Sequence, residues 1–227
     1  MFKKFAKWLY KFFPHLTILL GIIGIGGLTL CLLILLIVAK ISEEVLEREA
    51  FAFDKSLLLE IHAFANPYLD TIMLTITRLG NPSFVVTVIA VSLLILWWRR
   101  YYLETKILIL ASLGAFILNT GLKLFFTKPR PQLWTQLIPE KSFSFPSGHA
   151  LGSLVLYGFS AYLLANHYPK LAPVIYSLAT LLILSIGCSR LYLGVHWPTD
   201  IIAGYGVGFL WLMSCITLLK LQQFNQV

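Results

Sequence analysis

Charge is scarce in this chain. Of 227 residues only 12% are Asp, Glu, Lys or Arg, against 58% hydrophobic, and mean hydropathy is +0.81. An ordinary soluble domain is excluded by that balance. Cysteine is scarcer still. Cys31, Cys188 and Cys215 lie in or beside apolar runs without metal-ligand spacing, which excludes a disulfide framework and reads as small packing residues. Acids number ten, and seven of them (Glu43, Glu44, Glu47, Glu49, Asp54, Glu60 and Asp70) fall between positions 40 and 70. The sequence has no low-complexity tract, no sign of a second domain and no inverted repeat of the transporter kind. One integral-membrane domain over residues 1–227 is expected. The net charge of +8 sits beside apolar runs rather than in an aromatic-interleaved soluble region, so nucleic acid is excluded as a partner.

What is abundant is apolar length. A span needs about 20 apolar residues, and six runs qualify: 12–39, 80–98, 107–122, 142–169, 171–189 and 201–219. An all-α membrane protein with six transmembrane helices is expected. The first run follows Lys3, Lys4, Lys7 and Lys11 but is too long for a signal core and lacks a clear cleavage site, so it reads as a retained anchor. With alternating spans, those lysines, Arg99, Arg100, Lys106, Lys170 and Lys220 fall on one side, the positive-inside pattern. Both termini are then cytoplasmic. Between spans one and two the segment is amphipathic. Asp54 is expected to cap a helix bearing Leu57, Leu58, Ile61 and Phe64, and Asn66-Pro67 to end it and start another, giving interfacial helices on the bilayer. Glycines at 21, 24, 26 and 27, and at 204, 206 and 208, permit close helix approach.

Three polar groups interrupt this pattern, all on the side away from the cytoplasm: Lys123 with Arg130-Pro131; Pro146-Ser147-Gly148-His149; and Ser189-Arg190 with His196 and Asp200. Each has a bland explanation. A lysine at a span end snorkels, Ser147 caps a helix, and Asp200 suits the first turn of a helix opened by Pro198. Those explanations leave much unexplained. Arg130 stands between two prolines that stiffen its backbone, which suits bidentate binding of phosphate oxygens. His149 puts a titratable ring in the first turn of a buried helix, beside unsatisfied NH groups. His196 lies four residues before Asp200, and a carboxylate on one imidazole nitrogen leaves the other free as a nucleophile. Lys123, Lys128, Arg130, Lys141 and Arg190 have few acidic neighbours to offset them, so these cations, kept against the topological bias, are expected to serve a function.

These three groups resemble the signature motifs of the type 2 phosphatidic acid phosphatase family of membrane lipid phosphatases, with every motif position between 123 and 200 filled. The resemblance implies catalysis by His196 as nucleophile forming a phosphohistidine, His149 as general acid, and Asp200 orienting His196. It implies phosphate binding by Lys123, Arg130, Ser147, Gly148 and Arg190, with no metal and no cofactor. At an effective dielectric near 20, a cation about 4 Å from an anion gains roughly 4 kcal/mol, so three cations offset much of the charge that magnesium handles elsewhere.

A phosphorylated membrane lipid is the expected substrate: phosphatidylglycerol phosphate, phosphatidic acid or undecaprenyl diphosphate. The bilayer is the expected partner, and no obligate protein partner is evident. Trp134, Phe143 and Phe145 are expected to anchor the intervening loop at the interface. A non-catalytic lipid transporter or scramblase is the alternative, but it leaves His149, His196 and Asp200 unexplained. An intramembrane serine hydrolase is disfavoured because Ser147 lacks a Gly-x-Ser-x-Gly setting.

Overall fold

The computed structural model describes residues 14–47 and 52–224, so the four N-terminal lysines lie outside the described residues. Among the described residues the fold is carried by eight α-helices: α1 (Pro14–Leu46), α2 (Ala52–His62), α3 (Pro67–Arg78), α4 (Pro82–Trp98), α5 (Tyr102–Phe126), α6 (Gly148–His167), α7 (Ala172–Tyr192) and α8 (Pro198–Phe224), with a short 3-10 turn at Pro169–Leu171. Among the described residues there is no β-strand. The protein is an all-α membrane protein. Gly24–Leu46 of α1, then α5, α6, Pro169–Tyr192 and α8 are each long and apolar enough to cross a bilayer. Taken together, α3 and α4 also meet that length and composition, bent by 43° at their junction, which brings the candidate crossings among the described residues to six if the bent pair counts as one span. The first crossing begins later than the sequence suggested because Gly24 leaves the helical path at φ +76°. The fourth begins at Gly148 rather than Ser142, because 142–147 is irregular chain that feeds the polar site.

Helix starts follow local chemistry. Asn66 accepts from the Leu69 amide at 3.0 Å, with Pro67 opening α3, and Ser147 accepts from the Ala150 amide at 3.4 Å to open α6. Asp54 departs from expectation. It lies inside the first turn of α2, buried, and accepts from Thr199 N and Oγ1 instead of capping its own helix.

α6 and α8 form the centre. Leu151, Val155 and Phe159 of α6 pack with Leu212, Cys215 and Leu219 of α8 and with Ile107, Leu108 and Ala111 of α5. A Cβ on Gly204 would fall 2.7 Å from Ser147 O, and one on Gly208 3.1 Å from Leu151 O. The small residues of α8 thus bring two backbones together. Among the described residues, nothing lies within 4 Å of a Cβ built on Gly21, Gly24 or Gly26 of α1. The outer faces keep the chain apolar where lipid lies: Leu36, Leu94, Phe116, Leu124 and Leu181 are all more than half exposed.

The loop aromatics split. Phe143 is exposed, but Phe145 is 2% exposed and meets Phe126 edge-on at 4.8 Å. Trp134 stacks on His62 at 3.9 Å and closes over Gly194, where a side chain would collide with the indole. Two of the three expected interface anchors therefore pin the loop to the protein.

Candidate active site

The polar groups converge where the ends of α5 and α7 meet the starts of α6 and α8. Lys123 sits in the last turn of α5, its Nζ donating to Phe143 O. Thr127 then turns the chain at φ +47° into the loop that holds Arg130. Arg130 is locked from several sides: Nε donates to Ser142 O at 2.7 Å, Nη1 to Val195 O at 2.6 Å and Nη2 to Ser142 Oγ at 3.1 Å. Arg190, 1% exposed in the last turn of α7, donates from Nη1 to Thr77 Oγ1 at 2.8 Å. Its Nε is buried without an acceptor among the described residues. An orphaned donor of that kind has a free energy cost of about 1–3 kcal/mol unless something accepts from it.

His196 occupies the α7–α8 connection, which Gly194 turns at φ +66°. Its Nδ1 lies 3.4 Å from Asp200 Oδ2 and 3.3 Å from Ser144 Oγ. Its Nε2 lies 3.3 Å from Arg130 Nη1. A guanidinium only donates, so Nε2 presents its lone pair and Nδ1 carries the hydrogen toward Asp200. Burial lowers the His196 pKa to about 3, against the opposing pull of Asp200. The ring is therefore neutral at neutral pH. Asp200 is held on every side: Oδ2 accepts from Ser144 Oγ and from the Trp197 amide at 2.9 Å, and Oδ1 from Lys128 Nζ at 2.9 Å. Lys128 also donates to Thr199 Oγ1 at 2.8 Å and lies 3.8 Å from Asp54.

Lys123, Arg130, Gly148, His149, Arg190 and His196 line a single cleft of about 1000 Å³. Ser147 and Asp200 stand behind it, fully buried. His149 bonds through Nε2 to Asn81 Oδ1 at 2.9 Å. At its other end the cleft runs between α4 and α5 past Ile89, Leu93, Leu113 and Phe116, an apolar channel continuous with the polar pocket. Among the described residues, no group of three or more His, Cys, Asp or Glu is arranged to hold a metal ion.

One expectation fails. The loop acid Glu140 pairs with Arg190 and, at 3.6 Å, with Arg130, and Lys128 pairs with Asp200. Arg130, Arg190 and Lys128 therefore do have acidic partners. Burial alone would raise the Glu140 carboxyl, but the two guanidiniums outweigh it and hold its pKa below the usual range. Lys128 was among the cations named, though not as the partner of Asp200; sequence reasoning missed Glu140, Ser144, Thr77 and Asn81. Glu140 had a signal as the lone acid between two motifs; the others stand in apolar or mixed contexts that give none.

Residues 104–224 match the model of the PAP2 superfamily. Phosphatidylglycerophosphatase B of Bacillus subtilis is 31% identical over 185 residues, covering 80% of this chain and 89% of that protein. An undecaprenyl-diphosphatase of Sulfolobus acidocaldarius is 33% identical over 125 residues, 53% of this chain and 57% of that protein. The crystal structure of a transmembrane PAP2-type phosphatidylglycerolphosphate phosphatase from Bacillus subtilis superposes with a TM-score of 0.73 at 29% identity, covering 88% of this chain and 95% of that one. With the matched segment filling more than half of its length and the three polar groups meeting in one cleft, this chain belongs to the PAP2 superfamily and is a membrane phosphatase.

Proposed function

We propose that the protein hydrolyses the terminal phosphate of a membrane lipid through a phosphohistidine on His196, with phosphatidylglycerol phosphate as the leading substrate and undecaprenyl diphosphate and phosphatidic acid behind it. The observation that carries this reading is the His196 ring, neutral, with Nδ1 toward Asp200 and the Nε2 lone pair turned into a cleft of cations. Nε2 attacks phosphorus, and Asp200 stabilises the positive charge that the ring gains. Lys123, Arg130 and Arg190 hold the equatorial oxygens, assisted by the Gly148 amide at the N-terminus of α6. The unpartnered Arg190 Nε is a donor that a phosphate oxygen satisfies. Ser147 shapes that N-terminus as its cap. His149 protonates the leaving alkoxide and then deprotonates the water that releases phosphate.

The apolar channel between α4 and α5 suits an acyl or prenyl tail, with the phosphate at the polar end. Preference for phosphatidylglycerol phosphate rests on the likeness to the Bacillus subtilis phosphatase over nearly the whole of both chains. We take residues 1–227 as one catalytic unit. The connections at 99–101 and 168–171, which carry Arg99, Arg100 and Lys170, lie at the opposite helix ends from the cleft. The positive-inside rule then places the cleft outside the cytoplasm.

Rapid quenching with lipid labelled in the terminal phosphate tests the mechanism. Label is expected on His196 as an acid-labile, base-stable adduct that His196→Ala abolishes, with turnover persisting in chelators. Lipid movement without phosphate release, or a strict need for added magnesium, would falsify it. Side-by-side turnover of the three lipids ranks the substrates.

A further inference from the structure

Asn81 stands at the N-cap of α4 with extended backbone, the position where an asparagine side chain ordinarily accepts from the second or third amide of its own helix. Here it makes no capping bond. Its Oδ1 instead lies 2.9 Å from His149 Nε2, across 68 residues of chain. The break between α3 and α4 that carries Asn81 is fitted closely to α6. Leu79 O accepts from the Tyr157 phenolic OH at 2.6 Å, and a Cβ at Gly80 would lie 2.6 Å from His149 Cδ2. The ring therefore lies against a break whose one polar side chain has forgone its local bond to reach it.

We infer that Asn81 is the positioning residue for the general acid His149, holding Nε2–H through both halves of the reaction so that Nδ1 alone exchanges the proton. The inference rests on the assignment of His149 as general acid. An amide oxygen can only accept, so Nε2 keeps its hydrogen while bonded to Asn81. In the first half, Nδ1–H passes its proton to the leaving oxygen as that P–O bond breaks and the His196 Nε2–P bond forms. In the second half, water attacks phosphorus, its proton goes to Nδ1, and the N–P bond breaks. Proton count is restored. An acceptor is needed here because the positive end of α6 opposes an imidazolium in its first turn. Asn81 Oδ1 offsets that.

Leaving-group dependence tests the inference on the full-length protein. General acid catalysis matters for an alkyl leaving group, as in phosphatidic acid, and little for p-nitrophenyl phosphate. Asn81→Ala is expected to lower phosphatidic acid turnover about tenfold or more and p-nitrophenyl phosphate turnover about twofold or less. Asn81→Ser, which can cap α4 but is too short to reach His149, is expected to stay folded with the same split. Equal losses with both substrates in both variants, or no loss, overturn the role of Asn81 if His149→Ala itself discriminates between the substrates. If His149→Ala does not discriminate, the assignment of His149 as acid fails instead.

Discussion

Arg190 carries its role through shape as much as charge. Its planar fork serves Thr77 and Glu140 with two nitrogens and leaves Nε for a third acceptor. A lysine keeps the charge but has neither the fork nor the reach. Arg190→Lys is expected to lose about ten- to hundredfold in turnover while expressing as a folded protein, measured as lipid phosphate release alongside thermal unfolding. The neighbouring His196 makes a different prediction. Its pKa in the fold is about 3, below the unfolded value near 6.5, so between those limits the unfolded chain binds the extra proton. The contribution of this group to stability is whole above about pH 6.5 and declines as pH falls toward 3. The melting temperature is expected to drop with acid over that window, and His196→Gln is expected to flatten the decline. A slope unchanged by the substitution would show that other groups govern acid sensitivity. At this scale the motif residues were legible because their chemistry does not belong in lipid. Ser144 was not, since a serine between two phenylalanines has no pattern until Asp200 is seen to accept from it.

Helix ends do the assembling. α8 approaches α6 through Gly204 and Gly208, and its first turn brings Asp200 beneath His196. Gly204→Val is expected to destabilise the protein by about 1–3 kcal/mol and to reduce turnover, because the added side chain meets the Ser147 carbonyl, which is backbone and cannot swing aside. Thermal unfolding checks it, with Gly26→Val, whose Cβ meets nothing within 4 Å among the described residues, as a control expected to change little. The short α2 acts as a strut. Asp54 accepts from Thr199 N and Oγ1 and faces Lys128, which in turn holds Asp200. Burial raises the Asp54 pKa, with Thr199 and Lys128 pulling the other way. Asp54→Ala is expected to cost about 1–3 kcal/mol and to lower turnover without shifting the affinity for inorganic phosphate as a competitive inhibitor. The start and end of α3 and the start of α6 were readable from Asn66-Pro67, Gly80 and Pro146-Ser147. That Asp54 would point at α8 instead of capping α2 was not, because capping is a local rule and the stronger acceptor need lay 145 residues away.

Across the whole molecule, lipid solvates the outside and the polar chemistry is gathered at one end of the bundle. The channel between α4 and α5 joins the two regimes, so the protein is expected to distinguish substrates by tail as well as by phosphate. Leu113→Trp, which narrows the channel, is expected to reduce turnover of long-chain lipid phosphate severalfold more than that of a short-chain soluble analogue. Equal effects would place the tail elsewhere. The amino-acid sequence by itself determined that the chain lives in a membrane, about where it crosses, and which residue types do phosphate chemistry, because hydrophobic length and charge in lipid are constraints each segment obeys alone. Only the tertiary structure decided that Glu140 pairs with two arginines, that Lys128 and Ser144 hold Asp200, and that Asn81 reaches His149. Those pairings join segments tens of residues apart, and buried donors and acceptors find partners by proximity in space, which no local pattern encodes.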